Sequence, residues 1–278
     1  MNRFLFVVLC AGALTLTGCN HFGIAFKWAD TYIASKVDDY FDISSSQSRD
    51  LKDGVQKDLG ELKAEVLPQW IARLKGLQQE VQKGTLDSSR TGFYFDLFLK
   101  DVEQINARFS DTAGKFIAST QPKQLATFAR EFEKKTQADL DKFHQTSKYR
   151  KEMRNKYTEY FEMFLGSLTS EQEKMINTHL DSSPFPGELK ARNKAHILSR
   201  YQEQMTTPEA KREFLKTYYN NPATMDLAEY QTAFREYKLQ LQKLVIEVLG
   251  SMNLKQKKNL IDNLNEKTAQ LEKIAKAG

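Results

Sequence analysis

The sequence is poor in residues that break helices and in residues that crosslink chains. Its 278 residues include 6 Pro, 13 Gly and 2 Cys. A sandwich or barrel of many short strands needs a breaker every few residues, so this scarcity argues against both. Two cysteines build neither a disulfide scaffold nor a four-cysteine zinc site. No Gly-x-Ser-x-Gly elbow, His-Glu-x-x-His pair, phosphate loop or glycine-rich dinucleotide fingerprint is present. The four histidines are His21, His144, His179 and His196. Asp141 and His144 share a helix face, but a di-metal bundle needs a second such pair. Asp38, Asp39 and Asp42 lack the central Gly and terminal Glu of a calcium loop. They read instead as acids ahead of a helix start, where the helix dipole favours negative charge. The sequence therefore predicts no metal, no cofactor and no catalysis.

What the sequence does contain is apolar periodicity. With 18 Phe, 11 Tyr and 40% hydrophobic residues it can fill a core, which separates it from disordered chains. Apolar residues recur every three or four positions, the spacing of one helix face. One stripe is Phe95, Phe98, Val102, Ile105, Phe109, Ala113 and Phe116. A second runs Leu125, Phe128, Phe132, Leu140, Phe143 and resumes at Met153, Tyr157, Phe161, Phe164 and Leu168. A third is Tyr230, Phe234, Tyr237, Leu241, Leu244 and Val248. Gly84, Pro122, Pro208, the run 182–187 and Asn220-Asn221-Pro222 punctuate the helices. Pro68 interrupts a helical stretch, so a kink or break is expected there. The predicted fold is all-α: an elongated bundle of long antiparallel helices forming one domain over residues 24–278.

The N-terminus carries an address. Arg3 precedes a mostly apolar run, Phe4 to Leu16, of 13 residues. A spanning helix needs about 20 apolar residues, so this run reads as a secretory signal peptide. Its end, Leu16-Thr17-Gly18-Cys19, resembles the lipobox of bacterial lipoproteins. That resemblance implies cleavage after residue 18 and acylation of the Cys19 thiol, with 19–23 as a lipidated tether. Two or more acyl chains anchor a protein stably. In such lipoproteins Asp after the cysteine retains the protein in the inner membrane. Asn20 stands there in this sequence, so the expected location is the outer membrane, facing the periplasm.

Two segments repeat with an offset of 84. Phe164-Leu165-Gly166-Ser167-Leu168-Thr169-Ser170-Glu171-Gln172 matches Val248-Leu249-Gly250-Ser251-Met252-Asn253-Leu254-Lys255-Gln256 in its Leu, Gly, Ser and Gln. Ile43 to Gln47 is a weaker third copy, followed by Leu51 and Val55. Capping accounts for each residue type. Gly166 and Gly250 suit a left-handed C′ position. Thr169, Asn253 and Ser44 suit an N-cap, with Gln172, Gln256 and Gln47 three residues on, as in a capping box. The pattern therefore predicts helix corners that need no ligand. Leu168 to Gln172 also resembles the LTxxQ signature of small periplasmic stress chaperones, whose cradle-shaped dimers hold unfolded clients.

A broader similarity runs through Phe26-Lys27-Trp28-Ala29-Asp30, then Val37 to Ile43, Gln47, Glu65 to Trp70 and the two corner segments. This order resembles a family of uncharacterised bacterial lipoproteins, a domain of unknown function. It implies a helical lipoprotein and supplies no activity. The expected function is a lipid-anchored envelope protein that binds or scaffolds. Its expected partners are the membrane through Cys19 and an envelope protein, anionic lipid or cell-wall polymer, with no nucleic acid. A holdase-like chaperone is the alternative.

Overall fold

Apolar spacing of three and four residues becomes helix throughout residues 26–276, the part described by the computed structural model, and no strand occurs among them. The expected signal peptide, the tether and Cys19 lie outside the described residues. The helices are α1 Ala29–Phe41, α2 Ser45–Glu65, α3 Leu67–Lys83, α4 Ser88–Arg108, α5 Ser110–Ala118 and α6 Pro122–His144. They continue as α7 Thr146–Leu165, α8 Ser170–Ser182, α9 Gly187–Gln204 and α10 Pro208–Asn220. A 3₁₀ turn, Pro222–Thr224, then leads to α11 Ala228–Gly250 and α12 Leu254–Lys276.

Most boundaries follow from local chemistry. Pro68 sits at the start of α3, and the single residue Val66 separates α3 from α2, the break expected there. Gly84 ends α3 in the left-handed conformation, and the Asp87 side chain accepts the Arg90 backbone N–H to open α4. Thr207 caps α10 ahead of Pro208, whose missing N–H costs nothing at that position. One stripe departs from expectation. The run from Phe95 to Phe116 is two helices, α4 and α5, parted at Phe109, and Phe98 is 46% exposed. Phe109 is itself buried against α2 residues Val55 and Leu59, so core packing sets the turn rather than a breaker residue.

The twelve helices of the described residues form two sets of six that repeat each other's contacts. In the first set α1 packs on α2 and α6, and α2 packs on α5. In the second, α7 packs on α8 and α12, and α8 packs on α11. The third and fourth helices cross over: α3 packs on α12 and α9 on α6, while α4 packs on α11 and α10 on α5. Each half thus lends a helical hairpin to the other. One core joins Phe41, Ile117, Phe128 and Phe132 of the first half to Leu198, Tyr201 and Phe214 of the second. Another joins Val81 of α3 to Leu165, Ile176, Leu244, Val248, Leu260 and Leu264.

The sequence echoes this arrangement faintly. Lys36-Val37-Asp38-Asp39-Tyr40-Phe41 corresponds to Lys156-Tyr157-Thr158-Glu159-Tyr160-Phe161. Leu51 corresponds to Ile176, and Phe128, Phe132 and Thr136 correspond to Leu260, Leu264 and Thr268, all of them buried. Thr136 and Thr268 even share a buried hydroxyl without a hydrogen-bond partner.

Candidate functional site: paired glutamine corners

The helix corners are real, and they meet in pairs. Where α8 starts, the Thr169 side chain accepts the Gln172 backbone N–H at 3.3 Å, and the Thr169 N–H donates to Gln172 Oε1 at 3.0 Å. Where α12 starts, Gln256 N–H donates to Asn253 Oδ1 at 2.9 Å and Asn253 N–H to Gln256 Oε1 at 3.2 Å. Both are capping boxes, as the spacing predicts. Each glutamine has a free amide NH₂ left, and the tertiary fold brings the two face to face. Gln172 Nε2 donates to Gln256 Oε1 at 3.1 Å, and Gln256 Nε2 donates to Gln172 Oε1 at 2.8 Å. Further donations run from Gln172 Nε2 to Ser251 Oγ and from Gln256 Nε2 to the Ser167 carbonyl. Gln172 is 0% and Gln256 2% exposed, so these bonds exist out of water.

The third corner makes the same joint with a fourth that the glycine-based pattern misses. Ser44 and Gln47 form a capping box at the start of α2. At the start of α6, Gln121 N–H donates to Gln124 Oε1 at 2.9 Å. Gln47 Nε2 donates to Gln124 Oε1 at 3.1 Å, and Gln124 Nε2 to Gln47 Oε1 at 2.7 Å. Gln124 Nε2 also reaches the Asp42 carbonyl, the counterpart of Ser167. The fourth corner carries neither the Leu-Gly-Ser run nor a short polar N-cap. Pro122 marks the helix start in the sequence, and only the glutamine three residues after Gln121 marks the joint.

Two expectations about glycine need correction. Gly250 is not left-handed; it is the last residue of α11, and the chain turns at Ser251 with ordinary negative φ. Ser251 can do this because its own Oγ donates to the Val248 carbonyl, which needs no positive φ. Gly166 does adopt positive φ, 73°, but with ψ of −154° it is extended rather than left-handed helical. That combination is essentially open to glycine alone. A Cβ there would also lie 2.5 Å from Asn259 Nδ2, which donates to the Leu165 carbonyl.

The other polar residues disperse. His144 Nε2 lies 3.1 Å from Glu188 Oε1, while Asp141 accepts from Gln137 instead of sharing a site with it. Asp38 accepts the Ile43 N–H at the first corner, and Asp42 takes positive φ of 53°. Arg150 of the basic run pairs with Asp181, and Lys258 with Asp262. Tyr218 and Tyr219 pack on the first core, while Tyr94 donates to Glu80. Beside the second joint, His179 is buried against the rings of Tyr157 and Tyr237, whose hydroxyls bond to each other. Burial lowers the His179 pKa and raises those of both tyrosines, and it pushes Tyr149 up to about 12. His179 Nε2 has no hydrogen-bond partner. Among the described residues no cluster of three or more metal-ligating side chains occurs.

A family model matches residues 39–231, more than two thirds of the chain, and the family is described as one of unknown function. No curated protein and no solved structure matches.

Proposed function

We propose, for a chain that belongs to the family of unknown function DUF6279, a lipid-anchored outer-membrane protein. Its helical body binds an envelope component and performs no chemistry on it. The observation that carries the reading is Leu16-Thr17-Gly18-Cys19 closing a 13-residue apolar run, with Asn20 behind it. The body fits a binding role. Its most buried polar side chains, Gln172 and Gln256, are engaged with each other and with caps, which stiffens the frame. The outer faces of the helices carry the charge. No helix among the described residues is long and apolar enough to cross a membrane.

The test is membrane fractionation with labelled fatty acid. The wild-type protein takes up label and sediments with outer membranes, whereas Cys19→Ala loses the label and leaves that fraction. A Cys19→Ala protein that still cofractionates as an outer-membrane protein defeats the reading. Crosslinking in cells then identifies the envelope partner.

One observation favours a second reading. Leu168-Thr169-Ser170-Glu171-Gln172 is similar to the chaperone signature, and four glutamine-marked corners are present. A holdase suppresses aggregation of a denatured client at stoichiometric amounts. A scaffold leaves it unchanged.

A further inference from the structure

Two large aromatic side chains stand in solvent where the chain enters the body. Trp28, just ahead of α1, is 56% exposed, and Tyr32, one turn on, is 41% exposed. The opposite side of the same helix is packed: Ala34 and Phe41 are buried. Single exposed hydrophobics are ordinary, so the surroundings of this pair matter more than its exposure. Lys27 Nζ lies 5.8 Å from the Trp28 ring, and Lys36 Nζ lies 5.9 Å from the Tyr32 ring. Phe26, the first described residue, packs among Trp70, Leu271 and Ile274, which pins the chain's entry to the end of α12. The last turn of α12 adds Lys273 and Lys276, both exposed. The acids nearest this end are engaged: Asp30, in the first turn of α1, accepts from Gln56, and Glu272 pairs with Lys75.

Trp and Tyr with flanking lysines are the residues that settle at a bilayer interface, ring at headgroup depth and ammonium at the phosphates. From Cys19 to Trp28 the chain reaches at most roughly 30 Å, at about 3.3–3.6 Å per residue. An acylated Cys19 therefore keeps this end of the body close to the bilayer at all times. We infer that Lys27, Trp28, Tyr32, Lys273 and Lys276 form a docking face for the anionic bilayer surface, which fixes the orientation of the anchored body. This rests on the lipid-anchor reading proposed above. Tethering raises the local concentration of headgroups, so a face of modest intrinsic affinity is held docked without further contacts.

The experiment uses the full lipidated protein in vesicles of phosphatidylethanolamine with phosphatidylglycerol, with or without brominated acyl chains. The difference in emission between the protein and its Trp28→Ala variant isolates Trp28 from Trp70. Docking predicts quenching of the Trp28 emission by brominated lipid. Replacing phosphatidylglycerol with phosphatidylcholine should weaken that quenching. The double variant Lys273→Gln, Lys276→Gln should lower the docked-to-free ratio about 30-fold, about fivefold for each charge. Unquenched Trp28 overturns the inference, and so does quenching indifferent to phosphatidylglycerol and to both lysines. Mass of the Cys19 peptide and flotation of the same vesicles separate the two readings. An acylated, floating protein with unquenched Trp28 defeats the face and leaves the anchor standing. A Cys19 without acyl chains defeats both.

Discussion

The two glutamine joints use one hydrogen-bond pattern in two environments. At the second joint Gln172 and Gln256 are sealed from water. At the first, Gln47 and Gln124 are only half-buried, and their caps Ser44 and Gln121 are exposed. The difference traces to chain length. Between the matching Tyr-Phe pairs, Tyr40-Phe41 and Tyr160-Phe161, and the matching caps, Ser44 and Thr169, the second corner has five more residues. The longer segment brings in Leu165 and Leu168, which join the core around Leu244, Val248 and Leu260. Asn259 and Asn263 hold it by donating to the carbonyls of Leu165 and Phe164. The corresponding positions on α6 are Thr127 and Glu131, and Glu131 turns to surface lysine and arginine instead. A shared motif therefore does not imply equal weight. A hydrogen bond in a dry site is hard to replace, whereas water can take over at an open one.

The largest expected effect concerns the symmetry itself. Because α3 and α4 pack on the second half and α9 and α10 on the first, the cores around Phe128 and around Val248 draw on both halves, and only the one around Val55 has all its buried members in the first. Fragments divided at Gln145, between α6 and α7, should aggregate when expressed singly and copurify as a folded pair when coexpressed. A half that folds alone, with cooperative urea unfolding, would break the comparison at its root.

Next comes the joint in the dry site. Gln172→Leu strips the Thr169 N–H of its acceptor and leaves the Gln256 amide with only the Ser167 carbonyl and the Asn253 N–H, and a buried group left short of partners costs about 1–3 kcal/mol, so about 2–4 kcal/mol is expected. Gln47→Leu at the open joint should cost about 1 kcal/mol, the net worth of an ordinary hydrogen bond. Equal urea midpoints for the two variants would mean that burial does not set the difference.

The glycine pair sharpens the comparison further. Gly166→Ala should lose about 1–3 kcal/mol, because the backbone there is strained for any Cβ-bearing residue. Gly250→Ala should be neutral or gain about 0.5–1 kcal/mol, since Gly250 is helical and a Cβ there meets nothing within 4 Å. Thermal unfolding of the two variants reads both signs.

The smallest expected effect is on pH dependence, and it belongs to the second half alone. His179 is buried there, and Gly54 holds the matching place on α2. Burial lowers the His179 pKa in the folded state, with Glu247 opposing weakly and the Tyr157 and Tyr237 rings packed against the imidazole. The unfolded chain therefore takes up the proton first. The contribution of neutral His179 is complete above the unfolded value of about 6.5 and is lost as pH falls through the depressed folded value. His179→Phe should flatten stability against pH in that acid range. An unchanged slope would show that His179 is not the titrating group.

Much of the fold is legible in the chain. Three- and four-residue apolar spacing marks nearly every helix, Pro68 marks a break, and glutamine three residues after a cap marks three corners correctly. The division at Phe109 is not legible, because no breaker stands there and the turn is made by the packing of Phe109 against α2. Pro122 marks the fourth corner, but its glutamine joint is hidden because Gln121 lacks the usual short side chain of an N-cap. The glycine expectations failed for a related reason. The same Leu-Gly-Ser letters close one corner with positive φ and the other through the Ser251 hydroxyl, and only the path of the following chain selects between them.

The sequence by itself determined the helical class and the capping chemistry of three corners. These are local properties, governed by residues within a turn or two of one another. The tertiary structure alone decided that the corners meet in reciprocal pairs, that two sets of six helices exchange hairpins, and that one joint is dry. Those contacts join residues 77 and 84 positions apart. At such separations the amide of one glutamine finds the other only when the helices between them have packed.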